Sequence, residues 1–447
     1  MPSEGPLKIV QLTPGAGKMF CGACLRDNAL VGALRKLGHS VLMAPLYLPL
    51  TLDEEDQTSG TPLFYNGINV YLEQQSALFR KAPQWVHRIL ASPSLLNLAA
   101  GHAANTRAAE LGDITISMLR GEEGKQAREL DDLMKWLRQE KPDVVCLSNA
   151  LLVGMARRIR RELGVPVLCS LQGEDYFLDT LPETHRALAW ETTAERAADV
   201  DLFIAPSRYF ADFMTPRLRI PAGRMKILPN GISLDGYDKT ARRNRQAEPP
   251  VLGFFARMCR DKGLDRLVAA FIALKKRDGL QNLKLRVGGS CGPADQPFVD
   301  SLRADLSANG FSADIDFCPN LSHAAKQDFL RSLSVFSVPA LWKEAFGLYV
   351  IESLAAGVPV VQPDHGAFTE LVASTGGGVL CQPNDEAALA EALAGLLLAP
   401  ERAESLGRAG RDAVHKRFGV ESFAEKMAEI CRDAVREFPL ANRLAQN

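Results

Sequence analysis

The sequence predicts an α/β protein built from two doubly wound, parallel-sheet units. Three observations carry that prediction. A chain of 447 residues is too long for one core and is expected to split in two. Short continuous apolar runs alternate with helical patterns, and the series occurs twice. Between the two series, "RNRQAEPP" (Arg243 to Pro250) is charged, proline-ended and poor in apolar residues, as a linker should be.

In the first series "LKIVQL", "SVLMAPLYL", "VVCLS", "VPVLCSL" and "DLFIAPS" read as buried parallel strands, because they are continuous rather than alternating. The helices between them include "CLRDNALVGALRKLG", closed by Gly38, and "LLVGMARRIRRELG", closed by Gly164; each ends in basic residues and a glycine. A long helical segment with little strand character, about Glu73 to Glu140, interrupts this first unit. The second series runs "VLGFFAR", "LKLRVGG", "IDFCP", "LSVFSVPA", "VPVVQPD" and "GGVLCQP", again with helices between. The expected organisation is a first domain over 1–242, a linker over 243–250 and a second domain over 251–420, followed by a C-terminal helical stretch over 421–447. Two such units are expected to face each other across a cleft at their strand carboxyl ends, where ligands bind.

Bulk properties exclude several classes. The 52 basic and 53 acidic residues nearly cancel, so no chain-wide field favours nucleic acid or anionic lipid. No apolar run approaches the roughly 20 residues that span a bilayer, and "MPSEGPLKIV" has no signal-peptide core. Nine cysteines, an odd number and mostly isolated in apolar runs (Cys146, Cys169, Cys318), read as buried thiols, so a cytoplasmic location is expected. Oligomeric state is not legible.

The richest stretch is "LWKEAFGLYVIESLAAGVPVV". A strand ends near Ala340, a turn carries Glu344, and a helix is expected to begin around Phe346 or Gly347. The free amides of its first turn and the positive end of the helix dipole favour an anion such as phosphate, and Gly347 permits close backbone approach. Glu352 lies eight residues beyond Glu344; as helix that interval would span ~12 Å, enough for the two carboxylates to serve separate parts of one elongated ligand. Hydroxyls at both ends and phosphates between describe a nucleotide-sugar. "VLGFFARMCRDKGLDRLVAAF" places Arg257 at a strand end and Lys262 in the following loop, two cations able to neutralise a diphosphate without a metal. Alone, a helix-start glutamate is explained as a cap and a loop Arg or Lys as a solvated side chain; together they define a candidate site.

These residues resemble a known signature. Glu344 to Glu352 forms E-x7-E, and "EAFGLYVIESLAAGVPVV" is similar to the corresponding segment of the retaining glycosyltransferases of family 4. The resemblance extends through "LRKLGHSV", "KPDVV", "PSRYF", "ILPNGI", "ARMCRDKGLDRL", "HGAFTELV" and "GVLCQPNDEAALAEAL", and so covers most of the chain. It implies the GT-B fold, two Rossmann-like domains, with the C-terminal helix crossing back onto the first. It implies transfer of a sugar from a UDP- or GDP-linked donor, used as co-substrate with no separate cofactor, to a small-molecule, glycan or lipid-linked acceptor. Arg257 and Lys262 would bind the donor diphosphate, Glu352 the ribose, and Glu344 the transferred sugar. The backbone at Phe346, Gly347 and Leu348 would hold sugar and phosphate. Glu344, Arg257 and Lys262 form the implied catalytic set. In such enzymes the donor phosphate is thought to deprotonate the acceptor, so positioning and charge stabilisation dominate. The alternatives are an epimerase or hydrolase on the same donor, which breaks the donor down without acceptor, and a noncatalytic sugar-binding protein. A dinucleotide-dependent oxidoreductase fits poorly, since no G-x-G-x-x-G opens either half after its first strand with an acidic residue about 20 positions on.

The acceptor side departs from the family pattern. Where many relatives carry a His after the strand matching "VPVLCSL", this chain has Gln172, which hydrogen-bonds a hydroxyl but cannot carry the extra proton or charge that His can. Glu174 and Asp175 beside it either orient the acceptor or serve as turn and cap residues. Asn149, at another strand end, is a further candidate. The inserted segment holds Trp85 and several bases; peripheral membrane contact there is possible in principle but not favoured over an ordinary core role. The D-x-D patterns Asp199–Asp201 and Asp314–Asp316 abut apolar strands, and no metal is assigned. His39 reads as a turn residue before a strand and His365 as a loop residue after one.

The opening stretch "TPGAGKMFCGACLRDN" is not a P-loop: Leu12 stands where the first glycine belongs, and Met19 where the metal-binding hydroxyl belongs. Cys21 and Cys24 have metal or redox spacing but lack a second ligand pair. Family members carry a Gly-Gly turn about sixteen residues before the "GH" matched by Gly38-His39, which lands on Cys21-Gly22. By that register Gly22 approaches the donor phosphate and Lys18 is a candidate for an anionic acceptor or the diphosphate. Arg26 and Asp27 are candidate acceptor contacts or a structural pair.

Overall fold

All eleven apolar runs singled out above form strands, and a twelfth strand joins them. A computed structural model describes residues 5–15, 22–52, 54–65, 108–237 and 249–444, together with 70, 73 and 74. These divide into two units, Met1–Pro229 with Glu421–Asn447, and Asn230–Val420. Lys18, Cys21, Trp85 and residues 243–248 of the expected linker lie outside the described residues.

The first unit holds β1 (Lys8–Thr13), β2 (Ser40–Pro45), β3 (Val144–Leu147), β4 (Val167–Ser170), β5 (Leu202–Ala205) and β6 (Met225–Ile227), all parallel in the order β2-β1-β3-β4-β5-β6. Leu12 of β1 stands beside both Ala44 and Leu147, so β1 is central and almost wholly buried. The strand that sequence reading missed, β6, is three residues long and largely exposed, so it carries no apolar signal. Flanking helices among the described residues are α1 (Gly22–Lys36), α2 (Ala108–Leu119), α3 (Ala127–Glu140), α4 (Ala156–Leu163), α5 (Glu174–Thr180), α6 (Glu183–Ala197) and α7 (Arg208–Arg217). Gly164 closes α4 in the left-handed conformation, as its place after the basic turn predicts.

The second unit repeats the plan with β7 (Val251–Phe255), β8 (Lys284–Gly289), β9 (Ile315–Pro319), β10 (Val335–Phe336), β11 (Val360–Pro363) and β12 (Gly378–Cys381), in the parallel order β12-β11-β10-β7-β8-β9. Its helices are α8 (Leu264–Lys275), α9 (Gln296–Ala308), α10 (His323–Arg331), α11 (Leu348–Ala355), α12 (Phe368–Thr375), α13 (Glu386–Leu397) and α14 (Pro400–Arg417). Phe254, Phe271, Val335, Phe336, Leu354 and Val360 fill its core. The segment after Asn230 is tied into this unit by an isolated parallel bridge between Ile232 and Gly419. The last helix, α15 (Val420–Leu444), belongs from Glu421 onward to the first unit, where Phe423 lies 5.8 Å from the Arg26 guanidinium.

In each sheet the chain steps outward from a central first strand in both directions. That creates a topological switch point, between β1 and β3 in the first unit and between β7 and β10 in the second. The crevice at the strand carboxyl ends of such a point is where open α/β sheets bind ligands.

Candidate functional site

The switch point of the second unit gathers the four charged residues singled out from the sequence. Arg257 follows β7 and turns its Nε–Nη2 edge onto the carboxylate of Asp295, with Nε 3.0 and 3.2 Å from the two oxygens and Nη2 3.0 Å from Oδ1. Asp295 is nearly buried and also accepts the Gly292 N–H, so it is the anchored partner; the Arg257 side chain is 53% exposed. The chain then makes a 3-10 turn over Arg260–Lys262, and Gly263 starts α8 at φ 70°. A Cβ there would stand 2.0 Å from the Pro339 carbonyl oxygen, so only glycine lets this loop close against the end of the β10 segment. The Leu341 N–H donates to the Asp261 carbonyl (2.9 Å), sewing the two loops together.

That seam brings Lys262 Nζ onto Glu344 Oε1 in an ion pair. Lys262 also lies 5.8 Å from the Tyr349 ring centroid. The Tyr349 phenol is pushed well above its ordinary pKa by burial and then by the Glu344 charge. Gly347 caps α11 at φ 107°, and the helix starts at Leu348, next to the expected position. Only the second half of the Glu344–Glu352 interval is therefore helical, so the eight-residue helical span assumed from sequence does not apply. Glu352 sits within α11 and accepts from Lys326 Nζ of α10 at 3.0 Å; the Lys326 side chain is 7% exposed. Arg257 thus pairs with Asp295 just before α9, Lys262 with Glu344 in the loop before α11, and Lys326 with Glu352 in the second turn of α11; the N-terminus of α11 favours an anion. His365 Nε2 is 3.1 Å from the Ala340 carbonyl and therefore carries the proton; burial lowers the ring's pKa, which keeps it neutral.

Sequence reasoning missed Asp295, Lys326 and Tyr349. Tyr349 lies inside the E-x7-E interval and was within reach of that motif. Lys326 reads as one more basic residue of a helix, and only its burial marks it.

In the first unit, Thr13 Oγ1, at the end of β1, donates to Asp27 Oδ2. Arg26 Nη1 lies 2.9 Å from Asp27 Oδ1, and both side chains are buried. The two alternatives for Arg26 and Asp27 thus acquire a geometry: they are joined to each other, and Asp27 is tied to the end of β1. Gly22 opens α1 and is exposed. Asn149, after β3, caps a 3-10 turn by accepting the Leu151 N–H at 3.0 Å. After β4, Gln172 is half-buried, while Glu174 and Asp175 are buried at the start of α5. Burial pushes the Glu174 carboxyl up to about 7, against the opposing pull of three backbone N–H groups. Burial, then the Asp175 charge, pushes the Tyr209 phenol up to about 12.

The two D-x-D patterns are spent on ion pairs. Asp199 bonds Arg157 and Asp201 bonds Arg160, at 2.9 and 3.0 Å. Asp314 holds Lys275 and Lys284, and Asp316 holds Arg286. Among the described residues, no three His, Cys, Asp or Glu side chains cluster as a metal site. His39 sits in the α1–β2 turn, where its Nδ1 accepts the Leu7 N–H at 3.0 Å.

Comparison with known proteins matches residues 238–413 to the family model "Glycosyl transferases group 1" and residues 65–235 to "Glycosyltransferase Family 4". The chain is 26% identical, over 67% of its length and 76% of the relative's, to the GDP-mannose-dependent alpha-(1-6)-phosphatidylinositol monomannoside mannosyltransferase of Mycobacterium tuberculosis. It is 29% identical, over 68% of each chain, to D-inositol 3-phosphate glycosyltransferase 2 of Catenulispora acidiphila. Among solved structures, sucrose-phosphate synthase of Thermosynechococcus elongatus superposes with a TM-score of 0.70 at 18% identity, covering 96% of this chain and 98% of that one. HepE of Anabaena in complex with UDP gives 0.67 at 16% identity, covering 96% and 100%.

Proposed function

The chain belongs to glycosyltransferase family 4, has the GT-B fold and is a glycosyltransferase; on that premise we propose that it transfers a sugar, with retention, from a nucleoside-diphosphate donor to an acceptor hydroxyl without a metal. The observation that supports this most is the switch point of the second unit: Arg257 follows β7, Lys262 pairs with Glu344 in the loop before α11, and Glu352 lies within α11.

Arg257 and Lys262 take the diphosphate, and the amides opening α11 share its charge. Glu352 accepts from the ribose hydroxyls, and Glu344 from a hydroxyl of the transferred sugar. As the anomeric carbon–phosphate oxygen bond breaks, charge grows on the departing diphosphate. The two cations neutralise it as it forms, which is the source of electrostatic catalysis. The acceptor oxygen bonds the same face of the anomeric carbon, and its proton passes to the departing phosphate. The donor is UDP- or GDP-linked; the acceptor is a small molecule, a glycan or a lipid-linked glycan. No described helix is long and apolar enough to cross a membrane. The buried thiols Cys146 and Cys169 are free, which supports a reducing cytoplasmic setting.

Isothermal titration with UDP, GDP, uridine and guanosine tests the donor site. Arg257→Ala is expected to weaken the better diphosphate about tenfold or more, the scale of a lost charge-assisted bond, and to leave the nucleoside unchanged. Equal diphosphate affinity in the variant removes Arg257 from the site. Incubating the enzyme with UDP-glucose or GDP-mannose alone tests the reaction class. Slow donor loss that accelerates only with an acceptor supports transfer; rapid breakdown without one favours a hydrolase or epimerase.

A further inference from the structure

Gln172 stands where many family members have a histidine, and the carboxylate two residues later holds Gln172 in place. Glu174 Oε2 accepts the Gln172 N–H at 2.6 Å, and Oε1 accepts the Ala150 N–H at 3.0 Å. The two amides come from different loops, one following β4 and the other following β3. Glu174's own N–H is a third donor to the same carboxylate. The side chain is buried, and Gly173 before it is at φ 93°, the turn that folds the carboxylate back over its own loop. Asn149, which precedes Ala150, is fixed on the other loop by its bond to the Leu151 N–H.

We propose that Glu174 is a positioning residue, a clasp that joins the β3 and β4 loops and thereby sets where Gln172 and Asn149 stand on the acceptor side. It acts through those two residues and touches no substrate. The acceptor part of this statement rests on the transferase reading; the clasp itself does not.

A clasp built on both oxygens depends on ionisation. A carboxylate accepts at each oxygen, whereas a carboxylic acid turns one of them into a hydroxyl donor and strands the N–H facing it. The groups facing Glu174 are Asp175 on α5, which disfavours its charge, and the buried Cys169 thiol of β4, which Arg26 of α1 also faces. With a carboxyl titrating near 7, the clasp is closed above neutral pH and loses one strand below it.

Amide hydrogen exchange on the full-length protein, corrected to protection factors, tests this directly between pH 6 and 8. In the wild type, protection over 149–152 or 171–175 is expected to fall about tenfold on going from pH 8 to 6, the scale of one hydrogen bond to a charged acceptor. Glu174→Gln, whose amide presents a donor to one of the two N–H groups, is expected to show the low protection throughout. Its transfer or donor-breakdown rate is also expected to lose the wild-type fall below pH 7, while affinity for UDP and GDP stays unchanged. If Glu174→Gln does not fold, Glu174→Asp and the wild-type exchange profile carry the test. Unchanged protection in the variants together with a pH-independent wild type overturns the clasp. Altered protection in a protein that binds neither diphosphate leaves the clasp standing and overturns the donor reading instead.

Discussion

Glu344→Gln is expected to lower kcat about 100-fold or more while affinity for UDP and GDP holds or tightens. The geometry sets both directions. Glu344 pairs with Lys262 in the structure, so the carboxylate and the incoming diphosphate compete for one ammonium group. Removing the charge leaves Lys262 with only the diphosphate to neutralise, which cannot weaken nucleotide binding. The same change removes the acceptor oxygen that orients the sugar and the anion beside the anomeric centre, where positive charge develops. Interactions made chiefly in the transition state appear in kcat rather than in binding. Steady-state kinetics with whichever of UDP-glucose or GDP-mannose binds, alongside titration with the free diphosphate, separates the two effects. Unchanged kcat with weakened diphosphate binding would show Glu344 to be a structural partner of Lys262 only.

The pairing also shows what the sequence could and could not carry. Arg257, Lys262 and Glu344 were legible because each sits at a strand-to-helix turn, where an apolar run ends in charge, and Glu352 because it stands eight residues beyond Glu344. The central strands β7, β10 and β11 were legible for the same reason, being continuous apolar segments buried on both faces, while the edge strands β9 and β12 are partly exposed and were read from their place in the alternation. Asp295 and Lys326 were not, because what distinguishes them is a partner 38 or 26 residues away. Glu174 is an intermediate case. The sequence places a carboxylate in a turn, which a cap and a ligand contact explain equally well. Its bond to the Ala150 N–H arises only when β3 and β4 lie side by side, and no local pattern encodes that adjacency. The short exposed β6 marks the opposite limit: a strand held by its neighbour rather than by its own composition.

Lys326→Met is expected to destabilise the second unit by about 2–4 kcal/mol at pH 8, and the loss to shrink as pH falls. Breaking a buried pair is costly because it strands a charge, and a side-chain exposure of 18% at Glu352 discounts the full penalty only in part. Methionine keeps the stem of the lysine, so packing changes little and the electrostatic part is isolated. With its ammonium partner gone, the Glu352 carboxylate is a largely buried anion without that cation. A carboxylate less favoured in the folded protein than in the unfolded chain costs stability where it is ionised, and protonation at low pH removes that cost. Urea unfolding at pH 8 and pH 5 reads both ends. The double substitution Lys326→Met, Glu352→Gln supplies the control, since removing both charges should restore most of the stability while still weakening the ribose contact. A Lys326→Met variant equally stable at both pH values would mean that water reaches Glu352 freely, and that the α10–α11 pair does not position the nucleotide end of the site.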